Sequence, residues 1–288
     1  MTAPERRYVI TFGCPDRTGI IARISGFLAD HGGWIVEAAY HTDPDTGWFF
    51  TRQVVRADSL PFDADELRAR FAEVATDLSA DSSWQVSDTG ERRRAVILVS
   101  KAGHCLYDLL GRVASGELDV DIAAVIGNHD SLGDVTRAHG IPFHHVPFPV
   151  DGKTEAFEQV RKLVDEHEPH AVVLARFMQI LPADLCREWA GRAINIHHSF
   201  LPSFIGAKPY HQAHTRGVKL VGATCHYVTA DLDAGPIIDQ DVIRVDHGDS
   251  VEDMVRKGRD IEKVTLARGL RWHLENRVLV HGNRTVVF

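Results

Sequence analysis

Short runs of apolar residues, uninterrupted by polar ones, constrain the fold of this chain more than its other features do. "AVILVS", "DIAAVIG", "HAVVLA" and "AINI" follow one another after residue 94, separated by helix-like segments. Strands that are apolar on both faces need cover on both faces, which a parallel sheet with crossover helices provides. The sequence therefore predicts an α/β domain with a Rossmann-like, mostly parallel sheet over residues 95–288. In such sheets, ligands bind at the carboxyl ends of the strands.

Residues 1–88 follow a different pattern. Strand-like and helix-like segments alternate there in the order β-α-β-β-α-β, with the turn residues "DPDTG" between the second and third strands. This order is the split βαβ, or ferredoxin-like, pattern, and it predicts a complete small domain. Residues 89–94, "TGERRR", contain a glycine and a charge run and are predicted to be the linker.

Charge and cysteine content exclude several classes of protein. With 32 basic and 40 acidic residues the net charge is −8, so neither nucleic acid nor an anionic membrane is an expected partner. The apolar runs are far shorter than the roughly 20 residues that span a bilayer, and the N-terminus lacks an apolar signal core. Four cysteines far apart, without a C-x-x-C pair, predict buried thiols in a reducing, cytoplasmic compartment.

Polar side chains stand where the last apolar run ends. Asn195, His197 and His198 lie at the carboxyl end of this predicted strand. An asparagine amide can donate to a developing oxyanion, and histidine exchanges protons near neutral pH. From position alone, polar groups that merely satisfy one another are an equal alternative. His211 and His214 could complete a metal site, but neither H-E-x-x-H nor C-x-x-C spacing is present, so no metal is expected.

Two further segments carry candidate site residues. "TADLDAGPIIDQ" places Asp231 and Asp233 in a turn between two predicted strands, where a carboxylate could orient a histidine or simply face solvent. "LARFMQILP" (174–182) follows the third apolar run, and its apolar residues are either core or a slot for a flat heterocycle. The residues alone leave both alternatives open.

In their order and spacing, "LARFMQILP", "INIHHSFLPSFIGAKPYHQA" and "GATCHYVTADLDAGPII" resemble the folate-dependent formyl-transferase family, which includes glycinamide ribonucleotide formyltransferase and methionyl-tRNA formyltransferase. This resemblance covers residues 94–288. It implies that Asn195 and His197 surround the formyl carbonyl, and that Asp233 partners the histidine. No metal or other cofactor is implied. The folate pocket that it implies is lined by Arg176, Phe177, Met178, Leu181, Thr229, Ala230 and Asp231.

The N-terminal unit resembles an ACT domain, a regulatory module that often binds amino acids at paired interfaces. An ACT domain followed by a formyl-transferase fold, together with "LPSFIGAKPYHQA", resembles the formyltetrahydrofolate deformylases in particular. That resemblance implies a hydrolase of a linear amide bond, which converts 10-formyltetrahydrofolate to formate and tetrahydrofolate. The implied role is to supply formate for purine biosynthesis and to balance the one-carbon folate pools. It also implies a homo-oligomer and an amino-acid effector, although Trp34 stands where effector-binding ACT domains commonly have asparagine.

Two other functions remain alternatives. A formyltransferase would pass the formyl group to an amine, and the glycinamide ribonucleotide enzyme holds its acceptor's phosphate with a Gly-Ser-Asn-rich loop. The matching segment here, "SKAGHCLYDLL" (100–110), has a single glycine, which favours water as the acceptor. A non-catalytic sensor of folate and an amino acid is the other alternative, and it would bind folate without releasing formate.

Overall fold

The computed structural model describes residues 5–203 and 209–288 and divides the chain into two compact units. The first unit contains the residues up to 92 together with 276–281 and 286–288, and the second contains residues 93–275 and 282–285. The sequence predicts that the N-terminal domain ends at residue 88 and that the second domain begins at residue 95, and these domain boundaries remain a prediction.

The first unit has the predicted ferredoxin-like order. Its elements are β1 (Arg7–Pro15), α1 (Ile20–Asp30), β2 (Ile35–Asp43), β3 (Trp48–Arg56), α2 (Ala64–Leu78) and β4 (Ser83–Asp88). The strands are antiparallel in the order β2-β3-β1-β4, which leaves β2 and β4 at the two edges. Both helices bury their apolar stripe on the sheet, where Ile24, Leu67 and Phe71 have no exposed surface. Helix α2 begins after Asp63, whose carboxylate accepts hydrogen bonds from two backbone N–H groups of the first turn.

The second unit is built on the predicted mostly parallel sheet. Its elements are β5 (Arg94–Val99), α3 (His104–Ala114), β6 (Asp121–Gly127), α4 (Gly133–Ala138), β7 (Phe143–His145), α5 (Lys153–His167), β8 (Ala171–Ala175), α6 (Ala183–Glu188), β9 (Ala193–His197), α7 (Pro209–Arg216), β10 (Leu220–Tyr227), β11 (Ile237–Arg244) and α8 (Val251–Leu274). The strand order is β11-β10-β9-β8-β5-β6-β7. Strands β5 to β9 are parallel to one another, whereas β10 is antiparallel to both β9 and β11. Sequence reasoning missed β7, because "FHH" is too short and polar to form an apolar run.

The central strands are buried on both faces, as their continuous apolar runs predict. Every residue of β8 is buried, and Ile97, Leu98 and Val173 have no exposed surface. Helices α5 and α6 cover one face of the sheet, and α8 packs against β8 to β11. Helix α8 begins with the predicted capping box, in which Ser250 and Asp253 exchange side-chain to backbone hydrogen bonds.

The order of strands reverses at β5. Along the chain, β6 and β7 are added on one side of β5, whereas β8 and β9 are added on the other. Such a reversal opens a crevice at the carboxyl ends of the strands, because the connections on either side lead away from each other. The segments that follow β5, β8 and β9 therefore border one crevice.

The chain ends in the predicted hairpin of β12 (Val278–His281) and β13 (Arg284–Val287). The His281 ring stacks on Trp48 with 4.3 Å between ring centroids, which is one reason why residues 276–281 belong to the first unit. In residues 5–203 and 209–288, none of the helices is long and apolar enough to cross a membrane.

Candidate active site

A cavity of about 460 Å³ lies at the carboxyl ends of β8 and β9 and beside the loop between β10 and β11. This volume is within the usual range for small-molecule sites. Its apolar lining comes from Leu174, Phe177, Met178, Ile180, Leu181, Cys186, Ile196, Val228, Ala230 and Leu232. Its polar lining comes from Arg176, Gln179, Asn195, His197, His198, His226, Thr229 and Asp233. The cavity is thus an apolar slot with polar groups gathered on part of its wall.

Asn195 and His197 point to the same side of β9, because side chains two apart on a strand share a face. His226 lies opposite Asn195 in the antiparallel register of β9 and β10, and its Nε2 is 3.2 Å from Asn195 Nδ2. The other ring nitrogen, Nδ1, is 2.9 Å from the backbone carbonyl of Tyr227, which can only accept. His226 therefore donates from Nδ1 and accepts from the Asn195 amide at Nε2. This contact fixes the direction of the Asn195 side chain.

His197 and Asp233 form the central charged pair. His197 Nδ1 is 3.2 Å from Asp233 Oδ2, and the two side chains are 7% and 11% exposed. Burial raises the pKa of Asp233, but the hydrogen bond and charge of His197 outweigh this and hold the pKa below its ordinary value. The carboxylate therefore stays ionised and accepts a hydrogen bond from Nδ1 of His197, which fixes the orientation of the ring. His197 Nε2 is buried without a partner among the described residues, so it is free to bind a ligand in the cavity.

Asp233 reaches His197 from a strained backbone position. Its φ is 53°, in the left-handed region that residues other than glycine rarely adopt. Gly235 follows in the same turn, where a Cβ would overlap the backbone carbonyl of Tyr227. The loop between β10 and β11 is therefore folded tightly back onto the end of β10, which brings Asp233 to the wall of the cavity.

A second polar cluster lies behind the cavity wall, around the buried carboxylate of Glu262 on α8. Glu262 is 1% exposed and accepts hydrogen bonds from His104 Nε2 at 2.8 Å and from the Tyr210 hydroxyl at 2.9 Å. Arg176 Nε is 3.4 Å from the same carboxylate. Burial raises the pKa of Glu262, but His104, Arg176 and Tyr210 together lower it below its ordinary value. Glu262 is therefore an anion that ties α3, α7 and the end of β8 together.

Glycine and backbone strain make this cluster possible. Gly258 lies one turn before Glu262 on α8, and a Cβ there would overlap the Tyr210 hydroxyl. Arg176 has a φ of 63°, again in the left-handed region. Such a conformation costs about 1 kcal/mol or more for a residue with a Cβ, so the ion pair with Glu262 holds Arg176 against that cost.

The remaining predicted residues lie as follows. Phe177 is buried and packs edge-on against Phe148, and the N–H of Met178 donates to the Ser100 hydroxyl at 2.9 Å. Phe177, Met178 and Leu181 line the cavity, as do Thr229 and Ala230. Asp231 is exposed, and its backbone carbonyl accepts a hydrogen bond from the Thr229 hydroxyl at 3.0 Å.

The four histidines of the rejected metal site do not gather. His197 and His198 line the cavity with 5.2 Å between ring centroids, whereas His211 and His214 are exposed on α7. Among the described residues, the group with metal-ligand spacing is His104, Cys105 and Glu262, whose ligand atoms lie within 4.8 Å of one another. The Arg176 guanidinium beside Glu262 and the raised pKa of the Cys105 thiol both disfavour a cation there.

Sequence reasoning missed His226, Leu232 and the Glu262 cluster. His226 belongs to the quoted segment "GATCHYV", but only the register of β9 and β10 shows that it faces Asn195. Glu262 lies within the charged helix sequence "RDIEKV", where a carboxylate is normally solvated. Its burial follows from the packing of α8, which a helical pattern alone does not predict.

The comparisons with known proteins agree with this architecture. An ACT domain family model matches residues 8–66, and the formyl transferase family model matches residues 93–270. A formyltetrahydrofolate deformylase from Corynebacterium sp. (strain P-1) is 47% identical over 281 residues, which cover 98% of each chain. The chain belongs to the formyltetrahydrofolate deformylase family. An ACT domain is thus followed by a formyl-transferase domain, as the sequence predicts.

Solved structures support both the family and the fold. The crystal structure of a formyltetrahydrofolate deformylase from Pseudomonas syringae pv. tomato is 57% identical, with a TM-score of 0.97 over 100% of this chain and 96% of that one. A glycinamide ribonucleotide transformylase from Symbiobacterium toebii is 30% identical, with a TM-score of 0.66 over 70% of this chain and 96% of that one. The deformylase likeness therefore spans the full chain, whereas the transformylase likeness spans part of it.

The strain at Arg176 predicts an unusual order of stabilities. We expect Arg176→Gly to be more stable than Arg176→Ala by about 1 kcal/mol, because both lose the ion pair but only glycine tolerates the left-handed φ at little cost. Urea unfolding followed by circular dichroism measures the difference. The matched control is Arg187, an exposed residue of α6, where alanine should be the more stable of the two. Equal stabilities for the two variants at Arg176 would contradict the prediction.

Proposed function

We propose that this chain hydrolyses 10-formyltetrahydrofolate to formate and tetrahydrofolate. The observation that carries the proposal is the pairing of His197 with Asp233 at 3.2 Å, beside the Asn195 amide, on the wall of a 460 Å³ cavity. Membership of the formyltetrahydrofolate deformylase family supports the same reaction. The formate released would serve purine biosynthesis, and the hydrolysis would balance the one-carbon folate pools.

In the proposed mechanism, water attacks the formyl carbon on N10 of the folate. The carbonyl oxygen becomes an oxyanion, which accepts hydrogen bonds from the Asn195 amide and from Nε2 of a protonated His197. Asp233 keeps His197 charged and oriented, because its ionised carboxylate binds Nδ1 of the ring. His226 keeps the Asn195 amide in place. These groups stabilise the charge that develops in the transition state, which is where hydrogen bonds lower the barrier.

The apolar part of the cavity suits the flat pterin ring of the substrate. We assign this binding to Arg176, Phe177, Met178 and Leu181 after β8 and to Thr229, Ala230 and Asp231 before Asp233. Met178 and Leu232 are each 59% exposed, so apolar surface continues to the mouth of the cavity and would be covered by the substrate. The Ser100 hydroxyl accepts a hydrogen bond from the backbone N–H of Met178, which anchors this segment to the end of β5.

We expect Asn195→Ala to lose about 3 to 4 kcal/mol of transition-state stabilisation, which lowers turnover by roughly a hundredfold or more. Asp233→Asn should also lose turnover, because its neutral amide no longer stabilises the histidine cation. The assay measures formate released from 10-formyltetrahydrofolate without an amine acceptor, which also separates a hydrolase from a formyltransferase. His214→Ala, at an exposed position of α7, is the control and should keep native turnover. Near-native formate release by both site variants would reject the assignment.

We further propose that the reaction needs no metal ion. The oxyanion site consists of an amide and an imidazolium, and the His104, Cys105 and Glu262 group already contains the Arg176 cation as its counter-charge. We therefore expect formate release to be unchanged after extended dialysis against EDTA. Formate release is measured before and after dialysis and again with added zinc. A loss that zinc restores would establish a metal-dependent mechanism instead.

We also propose that residues 1–88 pair with a second copy of the chain through the edge strand β2. Trp34, Val36 and Tyr40 at this edge are 64%, 39% and 40% exposed, and an open strand edge with apolar side chains is a ready surface for pairing. The regulatory role of the ACT-type unit is part of this proposal, and its amino-acid effector would have to accommodate the Trp34 ring. The buried, free thiols of all four cysteines support a cytoplasmic location.

Light scattering over a concentration series tests the pairing. We expect the native chain to form an oligomer and Val36→Lys to dissociate it, because a charge on an edge strand opposes pairing. Val150→Lys is the control, since Val150 is 88% exposed and lies outside the first unit. A native chain that is monomeric at every concentration would remove the proposal.

A further inference from the structure

His198 is a second imidazole on the wall of the cavity. It follows the last residue of β9, and its ring centroid lies 5.2 Å from that of His197 and 6.0 Å from that of Tyr210. Because His197 and His198 both line the cavity, a substrate that reaches one ring also lies beside the other.

His198 has unused hydrogen-bonding capacity. Its ring nitrogens make no hydrogen bond to another residue within 5–203 and 209–288. Both ring nitrogens of His226, in contrast, are hydrogen-bonded. A half-buried imidazole without a protein partner needs water or a ligand to satisfy it. His198 lines the 460 Å³ cavity and also a second cavity of about 20 Å³ beside Tyr210, and the larger one has room for both a substrate and the water that would satisfy the ring.

The charges around His198 keep the ring neutral. Burial and then the Arg176 cation lower the pKa of His198 to about 4, against smaller opposing effects of Glu262 and Asp233. The His197 ring also opposes its protonation. Tyr210 contacts the ring from α7 and donates its own hydrogen bond to Glu262. At neutral pH, one nitrogen of His198 is thus an acceptor, and burial together with the Arg176 cation maintains this state.

We propose that His198 is a further catalytic residue of the hydrolysis, which binds the attacking water and receives its proton. The proposal rests on the proposed function and assigns the proton transfer that Asn195, His197 and Asp233 leave open. Asp233 is less suited to this role, because its Oδ2 is bound to His197 Nδ1 at 3.2 Å, whereas the ring nitrogens of His198 have no such partner among the described residues. His197 is occupied as the donor to the oxyanion.

The proton transfers balance without an additional reactant. As the water oxygen bonds to the formyl carbon, the C=O π pair moves to oxygen and one water proton moves to the free nitrogen of His198. When the C–N10 bond then breaks, the oxyanion pair re-forms the carbonyl and the His198 imidazolium gives its proton to N10. The products are formic acid, which ionises to formate, and tetrahydrofolate. An imidazolium beside the Arg176 cation is a stronger acid than an isolated imidazolium, which favours proton delivery to the poor leaving group.

The test compares two nucleophiles in His198→Ala and His198→Gln. Glutamine keeps a hydrogen-bond acceptor of similar reach but cannot take a proton, so it separates proton transfer from packing. We expect both variants to release formate about a hundredfold more slowly or worse. Hydroxylamine is nucleophilic enough to attack the formyl carbon without a base. After it has added, its own nitrogen carries the proton that N10 needs. Formohydroxamate production should therefore fall by less than about tenfold.

The outcomes distinguish this inference from the proposed function. Asn195→Ala should slow the reaction with water and the reaction with hydroxylamine by a similar factor, because both pass through the oxyanion. If His198→Gln releases formate within about threefold of the native rate, or if both nucleophiles slow equally in the His198 variants, His198 is not the proton acceptor. Tetrahydrofolate binding and circular dichroism establish that each variant is folded, and His214→Ala is the matched histidine control.

Discussion

The ion pair between His197 and Asp233 is the contact on which the rest of the site depends. It joins the end of a parallel strand to a loop between two antiparallel strands, 36 positions further along the chain. The pair forms because β10 lies antiparallel to β9 and the following turn folds back, with Asp233 in a left-handed conformation. The energetic cost of this strained turn is offset by a charge-assisted hydrogen bond in a largely buried place.

A second buried carboxylate, that of Glu262, organises the cluster behind the cavity wall. It is nearly inaccessible, and it collects donors from three separate elements: His104 of α3, Tyr210 of α7 and Arg176 after β8. Burying a charge is costly unless it is paired and hydrogen-bonded, so such a cluster fixes the relative positions of its members. Two anions thus hold the site together: Asp233, which orients His197, and Glu262, which pairs with the Arg176 cation.

Much of the fold could be predicted because each element has a local signal. The apolar runs predict the strands of the parallel sheet, the turn residues predict the hairpin between β2 and β3, and Ser250 with Asp253 predicts the start of α8. The two domain families were indicated by resemblance, the first through its β-α-β-β-α-β order and the second through its three motifs, and the family models match both. The exceptions are instructive: β7 is three residues long and polar, so its local signal is too weak, and the sequence pattern did not indicate that residues 276–281 pack with the first unit.

By itself, the sequence determined the order of the elements and placed Asn195, His197 and Asp233 at the ends of strands and in a turn. These are local properties of hydrophobic period, turn chemistry and chain order. Only the tertiary structure decided that His226 faces Asn195, that Glu262 is buried beside Arg176, and that His198 opens onto the cavity. The physical reason is that each of these contacts depends on strand register or helix packing between distant segments, which no local pattern encodes.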